Sequence, residues 1–164
     1  MLGLNSANKS PRIPDGFVLL RSELISVRKI NRLLSRCNQD IHQPRKLELA
    51  LKNSDFYLTL LQKTSENLVG FVRVTSDKGL NANLWDLIAE PGDQQEKYMS
   101  IVVFKAIEII RRELPGCSIS VAAPLISLNP LKANGFLLDP NGIKTMGFRP
   151  VSYTHLTLPT ILLV

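Results

Sequence analysis

One long helical segment, bounded by chain breakers at both ends, constrains the fold of this chain more than any other feature. The run Glu90-Pro91-Gly92-Asp93 interrupts regular structure before the segment, and Pro115-Gly116 ends it. Roughly from residue 95 to residue 114, apolar residues recur on one helical face: Val103, Ala106, Ile107, Ile110 and Leu114. Such a helix needs an apolar surface to cover, and a sheet formed by neighbouring segments provides one.

Apolar segments before and after this helix predict the sheet. We expect strands over residues 17–21, 56–62, 68–75, 84–89, 117–122 and 146–148. Two helices fall between the first two strands, because Ser26 suits the N-cap of one and Pro44 the first turn of the other. We expect Asn129 to cap a short later helix, with Pro130 as its first residue and Gly135 at its end. This order predicts an α/β (α+β) domain with a mixed, mostly antiparallel central sheet flanked by helices.

The two ends of the chain differ from this domain in character. Residues 1–16 are polar and contain two prolines, so we expect a flexible N-terminal arm before a domain over 17–150. Residues 151–164 contain no Lys, Arg, Asp or Glu, and the string from Val151 to Thr160 is what a transposase-type sequencing adapter would encode if read in frame. We therefore interpret 151–164 as non-native read-through; the alternative is a genuine apolar C-terminal strand.

Composition narrows the classes of function. The chain has 164 residues, 45% of them hydrophobic and 21% charged, with a formal net charge of +6. Cys37 and Cys117 are too few for a disulfide framework and we expect two buried thiols; with His42 they form no metal-ligand pattern, so we predict no metal. No apolar run approaches a membrane span and no signal peptide is recognisable, which predicts a cytoplasmic protein.

The densest basic stretch runs from Arg21 to Arg36. It has no interleaved aromatic residues of the kind that stack on bases, so a solvated helix face is the preferred interpretation. Binding of nucleic acid through this helix is the weaker alternative.

Four local strings resemble the GCN5-related N-acetyltransferase (GNAT) superfamily, and most closely its plastid and cyanobacterial branch that includes the chloroplast serotonin N-acetyltransferases. Two of them form a strand-turn-strand block, Gly70-Phe71-Val72-Arg73-Val74-Thr75-Ser76-Asp77 followed by Asn81-Ala82-Asn83-Leu84-Trp85-Asp86-Leu87-Ile88-Ala89-Glu90-Pro91. The others are Asn134-Gly135-Phe136 and Asp139-Pro140-Asn141-Gly142-Ile143-Lys144. The likeness is good over residues 56–150 and loose over 17–55.

The resemblance implies a GNAT fold and transfer of acetyl from acetyl-CoA to a primary amine, on a small molecule or a protein. The strand Leu87-Ile88-Ala89 would separate from its neighbour and bond the pantetheine arm of acetyl-CoA through its backbone. The following loop and helix start, with Gln94, Gln95 and Lys97, would hold the pyrophosphate, because unpaired helix-start N–H groups attract anions.

The acetyl-CoA loop departs from the family pattern, which is Gln/Arg-x-x-Gly-x-Gly/Ala. Gln94 matches, but Lys97 and Met99 stand where glycines would be, and their side chains are expected to crowd the phosphates. Asp93 and Glu96 would repel a pyrophosphate while favouring the helix dipole.

A second departure removes the family's general acid. Where many relatives have a Tyr, four residues before the Gly-Phe pair, this chain has Leu131; Tyr98 is a conceivable substitute. Asp86 is the candidate base, with a loop cap or an ion pair to Arg73 as the alternative. Trp85 either lines an acceptor pocket or belongs to the core, and Gln94 is either a pyrophosphate ligand or a plain loop residue.

These departures leave two functions open. The chain is either an N-acetyltransferase or a catalytically inactive binding or regulatory module with the same fold and impaired acetyl-CoA binding. The amine acceptor and the oligomeric state do not follow from the sequence.

Overall fold

The computed structural model describes residues 10–142, and they form one sheet with helices on both faces. The elements follow the predicted order: β1 Phe17–Arg21, α1 Val27–Arg36, α2 Pro44–Lys52, β2 Phe56–Gln62, β3 Leu68–Ser76, β4 Asn81–Ala89, α3 Gln95–Glu113, β5 Ser118–Val121 and α4 Leu128–Ala133. Short 3₁₀ turns span Leu125–Ser127 and Pro140–Gly142. The predicted last strand at 146–148 and the tail interpreted as read-through lie outside the described residues.

The five strands lie side by side in the order β1-β2-β3-β4-β5. The first four are antiparallel to their neighbours, and β5 is parallel to β4 because α3 carries the chain back along the sheet. The sheet is therefore mixed and mostly antiparallel, and the predicted fold class is confirmed.

Two apolar clusters hold the layers together, one on each face of the sheet. The larger one joins the sheet to α3, and its fully buried members include Leu60, Val74, Met99 and Val102. The smaller one joins the other face to α1 and α2, and its buried members are at most 6% exposed: Ile30, Leu33, Leu34, Leu47, Leu68, Phe71 and Ile88. Each helix thus buries one apolar stripe, as its sequence period requires.

The turn between β3 and β4 is held by one side chain. The Asp77 carboxylate accepts the backbone N–H groups of Gly79, Leu80 and Asn81 at 2.8–3.0 Å. These three bonds stabilise the charged form and lower the pKa of Asp77 to about 2. An Asp that satisfies three successive donors stabilises this hairpin turn through local contacts.

Four predicted details need correction. The strand predicted from residue 84 begins at Asn81, because its polar first residues still pair with β3 and β5. Helix α4 begins at Leu128, not after an Asn129 cap, because the preceding 3₁₀ turn runs directly into it. Both thiols are only partly buried, since Cys37 caps the end of α1 and Cys117 lies just before β5. Met99, whose side chain was expected to crowd the phosphates at the helix start, lies in the core.

The N-terminal segment is tied to the sheet over its last residues. Phe17 donates its N–H to the Pro14 carbonyl, and the Gly16 carbonyl accepts the Lys63 N–H at 2.8 Å. Residues 1–9 of the predicted arm lie outside the described residues, so its flexibility stays a prediction.

The positive charge of the basic stretch from Arg21 to Arg36 is partly neutralised by acidic side chains. Arg21 makes two 2.6 Å hydrogen bonds to Glu113, Lys29 lies 3.7 Å from Glu66, and Arg36 pairs with Glu90.

Within residues 10–142, no helix has the length and hydropathy needed to cross a bilayer.

Candidate functional site

Strand β4 has two strand neighbours along its first half and one along its second. Residues Asn81–Leu84 pair with Ser118–Val121 of β5, and the pairing stops there, while pairing with β3 continues to Ala89. A crevice therefore opens between the second half of β4 and the segment that follows β5. This is the separation expected for the strand Leu87-Ile88-Ala89.

A β-bulge marks the boundary between the two halves. The register with β3 shifts between Phe71, which faces Ile88, and Arg73, which faces Trp85. Asp86 lies in the bulge with a φ of 51°, a left-handed conformation that Asp tolerates better than most residues. The bulge changes the direction of β4 next to the residue where its pairing with β5 ends.

The open edge of β4 presents backbone groups of Ala89. Glu90 donates its N–H to Val69 on β3, so by antiparallel alternation the N–H and C=O of Ala89 point the other way, towards the crevice. The Ala89 carbonyl already accepts the Cys37 thiol at 3.1 Å and the Gln95 side-chain amide at 2.9 Å. The side chains of Leu87, Ile88 and Ala89 are at most 4% exposed, so these residues can offer a ligand only their backbone.

The start of α3 lies at the end of this edge. The Gln95 N–H bonds the Gly92 carbonyl and the Tyr98 N–H bonds the Gln94 carbonyl, whereas the N–H groups of Glu96 and Lys97 have no partner among residues 10–142. The side chains of Gln94 and Lys97 are exposed, and that of Gln94 makes no capping bond. Two free donors at the positive end of a 19-residue helix form a site suited to an anion.

Acidic side chains near the same helix start are partly engaged elsewhere. Glu96 accepts the Asn129 amide at 3.0 Å, which connects α3 to α4, while Asp93 is exposed. The negative charge expected there is present, but the contact with Asn129 directs the Glu96 carboxylate towards α4.

The Asp86 carboxylate lies between a guanidinium and an imidazole. One oxygen, Oδ2, accepts the Arg73 Nε–H at 2.9 Å, and the other, Oδ1, lies 3.0 Å from His42 Nε2. The Asp86 side chain is 13% exposed and that of Arg73 is 16% exposed, so this ion pair is largely shielded from water. The ion pair to Arg73 considered as an alternative to a base is thus present.

His42 is a member of this cluster that sequence reasoning missed. The loop between α1 and α2 carries it, and the Asn31 side chain of α1 fixes that loop: Asn31 Nδ2 donates to the His42 carbonyl at 2.7 Å and Oδ1 accepts its N–H at 3.0 Å. The available signal was a histidine between two helices that cover the strand carrying Asp86. His42 and Asp86 are 44 positions apart, so no local sequence pattern indicates their contact.

Trp85 lies on the same face of the sheet and is 42% exposed, so it is not a core residue. Its indole Nε1–H donates to Thr75 Oγ1 at 2.7 Å, and the Arg73 guanidinium carbon lies 6.0 Å from the ring centroid. The ring is thereby fixed beside the Asp86 cluster and is available to line an acceptor pocket.

A cavity of about 710 Å³ borders the crevice at the end of β5. Its walls include Val121 at the end of that strand, the following residues to Pro124, Leu131 of α4, and Gln39 of the loop that carries His42. The α1–α2 loop and the open end of the sheet thus share one recess.

Comparisons with known proteins fit this geometry. No family model matches the chain. The chain is 36% identical over 109 residues to an uncharacterised N-acetyltransferase, ycf52, of Pyropia yezoensis, which covers 65% of the chain and 62% of that relative. It is 29% identical over 135 residues to the chloroplastic GCN5-related N-acetyltransferase 1 of Arabidopsis thaliana, covering 81% of the chain and 68% of that relative. These relatives, both named N-acetyltransferases, are similar in sequence to the chain over the matched residues.

A solved structure independently shows the GNAT fold. The chain matches a probable acetyltransferase of meticillin-resistant Staphylococcus aureus with a TM-score of 0.73 at 18% identity, over 82% of this chain and 99% of that one. The chain spans less than two thirds of the length of the ycf52 relatives, 62% for that of Pyropia yezoensis. The activity of those longer proteins therefore enters below only as a proposal.

Two departures from the GNAT loop pattern have different structural consequences. Lys97 is exposed beside the free N–H groups, as expected. Met99 is 0% exposed and packs in the cluster that joins α3 to the sheet, so the expectation that its side chain crowds the phosphates is wrong. The position faces inward because it lies one turn into α3.

The general acid of the GNAT pattern has no replacement at the two positions considered. Leu131 is 3% exposed and belongs to the core. The Tyr98 ring stacks on Phe17 of β1 with centroids 5.4 Å apart, which directs it to the sheet edge opposite β5. The described residues contain no cluster of three or more His, Cys, Asp or Glu that could hold a metal.

Proposed function

We propose that the chain is an N-acetyltransferase that transfers acetyl from acetyl-CoA to a primary amine of a small molecule or a protein. The observation that carries the proposal is the end of β4–β5 pairing at Leu84, which leaves the backbone of Ala89 facing a crevice that leads to the start of α3. The GNAT relatives support the reaction class, because GNAT acetyltransferases use acetyl-CoA generally.

The residues present fit the two polar parts of acetyl-CoA. The free N–H groups of Glu96 and Lys97, with the Lys97 ammonium beside them, suit the pyrophosphate. The Ala89 N–H is available to a pantetheine amide, but the Ala89 carbonyl must be shared with Gln95 and Cys37. We expect the Gln95 side chain to turn away when acetyl-CoA enters, since its amide is the more exchangeable of the two donors.

Calorimetric titration of acetyl-CoA into the full chain tests the proposal first. We expect binding at micromolar strength, followed by release of CoA thiol when a panel of small amines and lysine peptides is added. Lys97→Glu should weaken binding by roughly tenfold, because it replaces a favourable charge by a repulsive one at a distance of a few ångströms. The matched control is Lys46→Glu on α2, an exposed residue of the opposite face that should leave binding unchanged.

The alternative is a GNAT-fold module that no longer transfers acetyl and serves binding or regulation. Two observations favour it: the Ala89 carbonyl is occupied by protein donors, and Asp93 and Glu96 place negative charge beside the helix start. Absence of acetyl-CoA binding at millimolar concentration would support the module and contradict the enzyme. Binding without thiol release across the whole amine panel would also favour the module.

The partner and compartment remain predictions. The amine acceptor is the only partner that the proposal requires; nucleic acid stays the disfavoured alternative, and an absent gel shift at low salt would remove it. The cytoplasmic location also stays a prediction, and the Arabidopsis thaliana relative is named chloroplastic.

A further inference from the structure

We propose that His42 is the general base of the transfer and that Asp86 is a positioning residue which fixes its tautomer. The inference rests on the proposed acetyl transfer and names the group that removes the proton from the amine. It replaces the interpretation of Asp86 as the base itself.

The two oxygens of Asp86 are both committed to donors. Oδ2 accepts the Arg73 Nε–H and Oδ1 lies 3.0 Å from His42 Nε2. Both oxygens face these protein donors and only 13% of the Asp86 side chain is exposed, so a substrate amine has little access to the carboxylate.

The contact with Asp86 settles which nitrogen of His42 carries the proton. A carboxylate only accepts hydrogen bonds, so the contact requires a proton on Nε2, and in the neutral ring Nδ1 then keeps its lone pair. No described residue bonds Nδ1, and the His42 side chain is 40% exposed. Neutral imidazole with one free lone pair is the state that a general base requires near neutral pH.

The surroundings give this imidazole a fixed place beside the crevice. Asn31 holds the His42 backbone from both sides, and Asp86 holds the ring. Asp86 lies two positions past Leu84, where β4 and β5 separate, and Gln39 of the same loop lines the cavity at the end of β5. His42 therefore lies on the side of the sheet from which an amine can approach a thioester seated in the crevice.

The proton and electron changes of the step balance. His42 Nδ1 accepts one proton from the substrate ammonium, and the freed nitrogen lone pair forms the new C–N bond at the thioester carbonyl carbon. The C–S bond breaks, its electron pair stays on sulfur, and the CoA thiolate takes the second proton of the amine nitrogen. The proton on His42 passes to solvent across the exposed edge of the ring, so the products are amide, CoA thiol and one released proton.

Kinetics of His42→Ala test the role of the base. We expect kcat to fall by about 10²–10⁴-fold while the acetyl-CoA dissociation constant stays unchanged. Added imidazole should restore part of the activity of His42→Ala and leave the parent unaffected, a response that a merely structural role would not give. Gln43→Ala, the exposed neighbour in the same loop, is the matched control and should retain full activity.

His42→Gln serves if the alanine variant fails to fold, because it keeps a polar side chain of similar reach. An unchanged kcat in a folded His42 variant, or no response to imidazole, would overturn the role of base while leaving acetyl transfer intact.

A spectroscopic readout separates this inference from the proposed function. Nitrogen-15 NMR of the parent should show the His42 tautomer protonated at Nε2, and Asp86→Asn should shift the ring towards a mixture of tautomers. A parent ring protonated at Nδ1 overturns the inference even if acetyl transfer is found. A parent that binds acetyl-CoA but acetylates no amine overturns the proposed enzyme, and with it the catalytic part of this inference.

Discussion

The first half of β4, Asn81–Leu84, has hydrogen-bonded strands on both sides, whereas the second half, residues 85–89, has one only on the β3 side. Burial does not follow this difference in pairing. Ala82 and Leu84 are buried in the doubly paired half, and Leu87, Ile88 and Ala89 are at most 4% exposed in the half with one neighbour. Packing from both faces thus substitutes for the missing strand, and this is how a backbone edge can stay open inside a stable fold.

Packing beneath the open half predicts the largest effect on stability. Met99→Gly should lower the free energy of unfolding by about 3–5 kcal/mol, because it leaves a cavity in the core and puts glycine in a helix. Lys97→Gly, at the exposed position two residues earlier, should cost only about 1 kcal/mol. Urea unfolding measures both. A stable Met99→Gly that binds acetyl-CoA more tightly would mean that the side chain does crowd the site.

We expect the next largest effect on stability in β3, the strand that pairs with the open half of β4. A Cβ at Gly70, which pairs with Ala89, would lie 3.2 Å from Leu60 Cβ and 3.3 Å from Val102 of α3. Gly70→Val should therefore cost about 1–3 kcal/mol of unfolding free energy through overpacking. Gly79→Val is the matched control, since its Cβ meets nothing closer than 3.8 Å, and it should stay within about 0.5 kcal/mol of the parent. Equal losses at the two glycines would contradict tight packing behind Ala89.

The bulge between the halves predicts a smaller, separable effect. Asp86→Gly and Asp86→Val both remove the carboxylate from Arg73 and His42, so their difference reports on the backbone alone. The valine variant should be less stable than the glycine variant by about 1–2 kcal/mol, because a β-branched residue is strained at a φ of 51°. Equal stability in thermal unfolding would mean that the left-handed bulge relaxes without cost.

We expect the smallest effect at the Cys37 thiol, which donates to the Ala89 carbonyl at the open edge of β4. Burial raises the pKa of Cys37 above its ordinary value. The folded chain therefore holds less thiolate at pH 8 than the unfolded chain, and iodoacetamide should alkylate Cys37 several-fold more slowly than in urea. Because the folded pKa is the higher one, this contribution to stability is complete below the ordinary thiol pKa and is lost as pH rises through the folded value. Equal alkylation rates in the two states would place the thiol in open solvent.

Local patterns identified most of the fold. The apolar runs at 17–21 and 56–62 and the breakers around α3 mark elements that the structure reproduces, because a period and a stop signal are both local. The start of β4 was missed because Asn81 and Asn83 are poor strand formers whose side chains lie on an open polar face. Tertiary pairing with β5 overrides that preference.

Of the candidate site, only the open backbone edge of β4 could be predicted from the sequence. The resemblance located the open edge at Leu87-Ile88-Ala89, since it follows from strand order. The bond between His42 and Asp86 depends on a left-handed bulge and on a loop fixed by Asn31, and neither leaves a periodic trace in the sequence. Met99 lies one turn into α3 and faces the core, a direction that the spacing of the loop motif does not give.

The Asp77 turn has a consequence for the order in which the molecule assembles. Its three carboxylate bonds close the β3–β4 hairpin with contacts only two to four residues apart, whereas β5 joins β4 only after the whole of α3 has folded back. We expect this hairpin to be formed in the folding transition state, with φ-values high for Val74→Ala and Leu84→Ala and low for Val121→Ala. The hairpin that carries Trp85 and Asp86 would then exist before the crevice beside it, so the open edge of β4 would form before the segment that faces it.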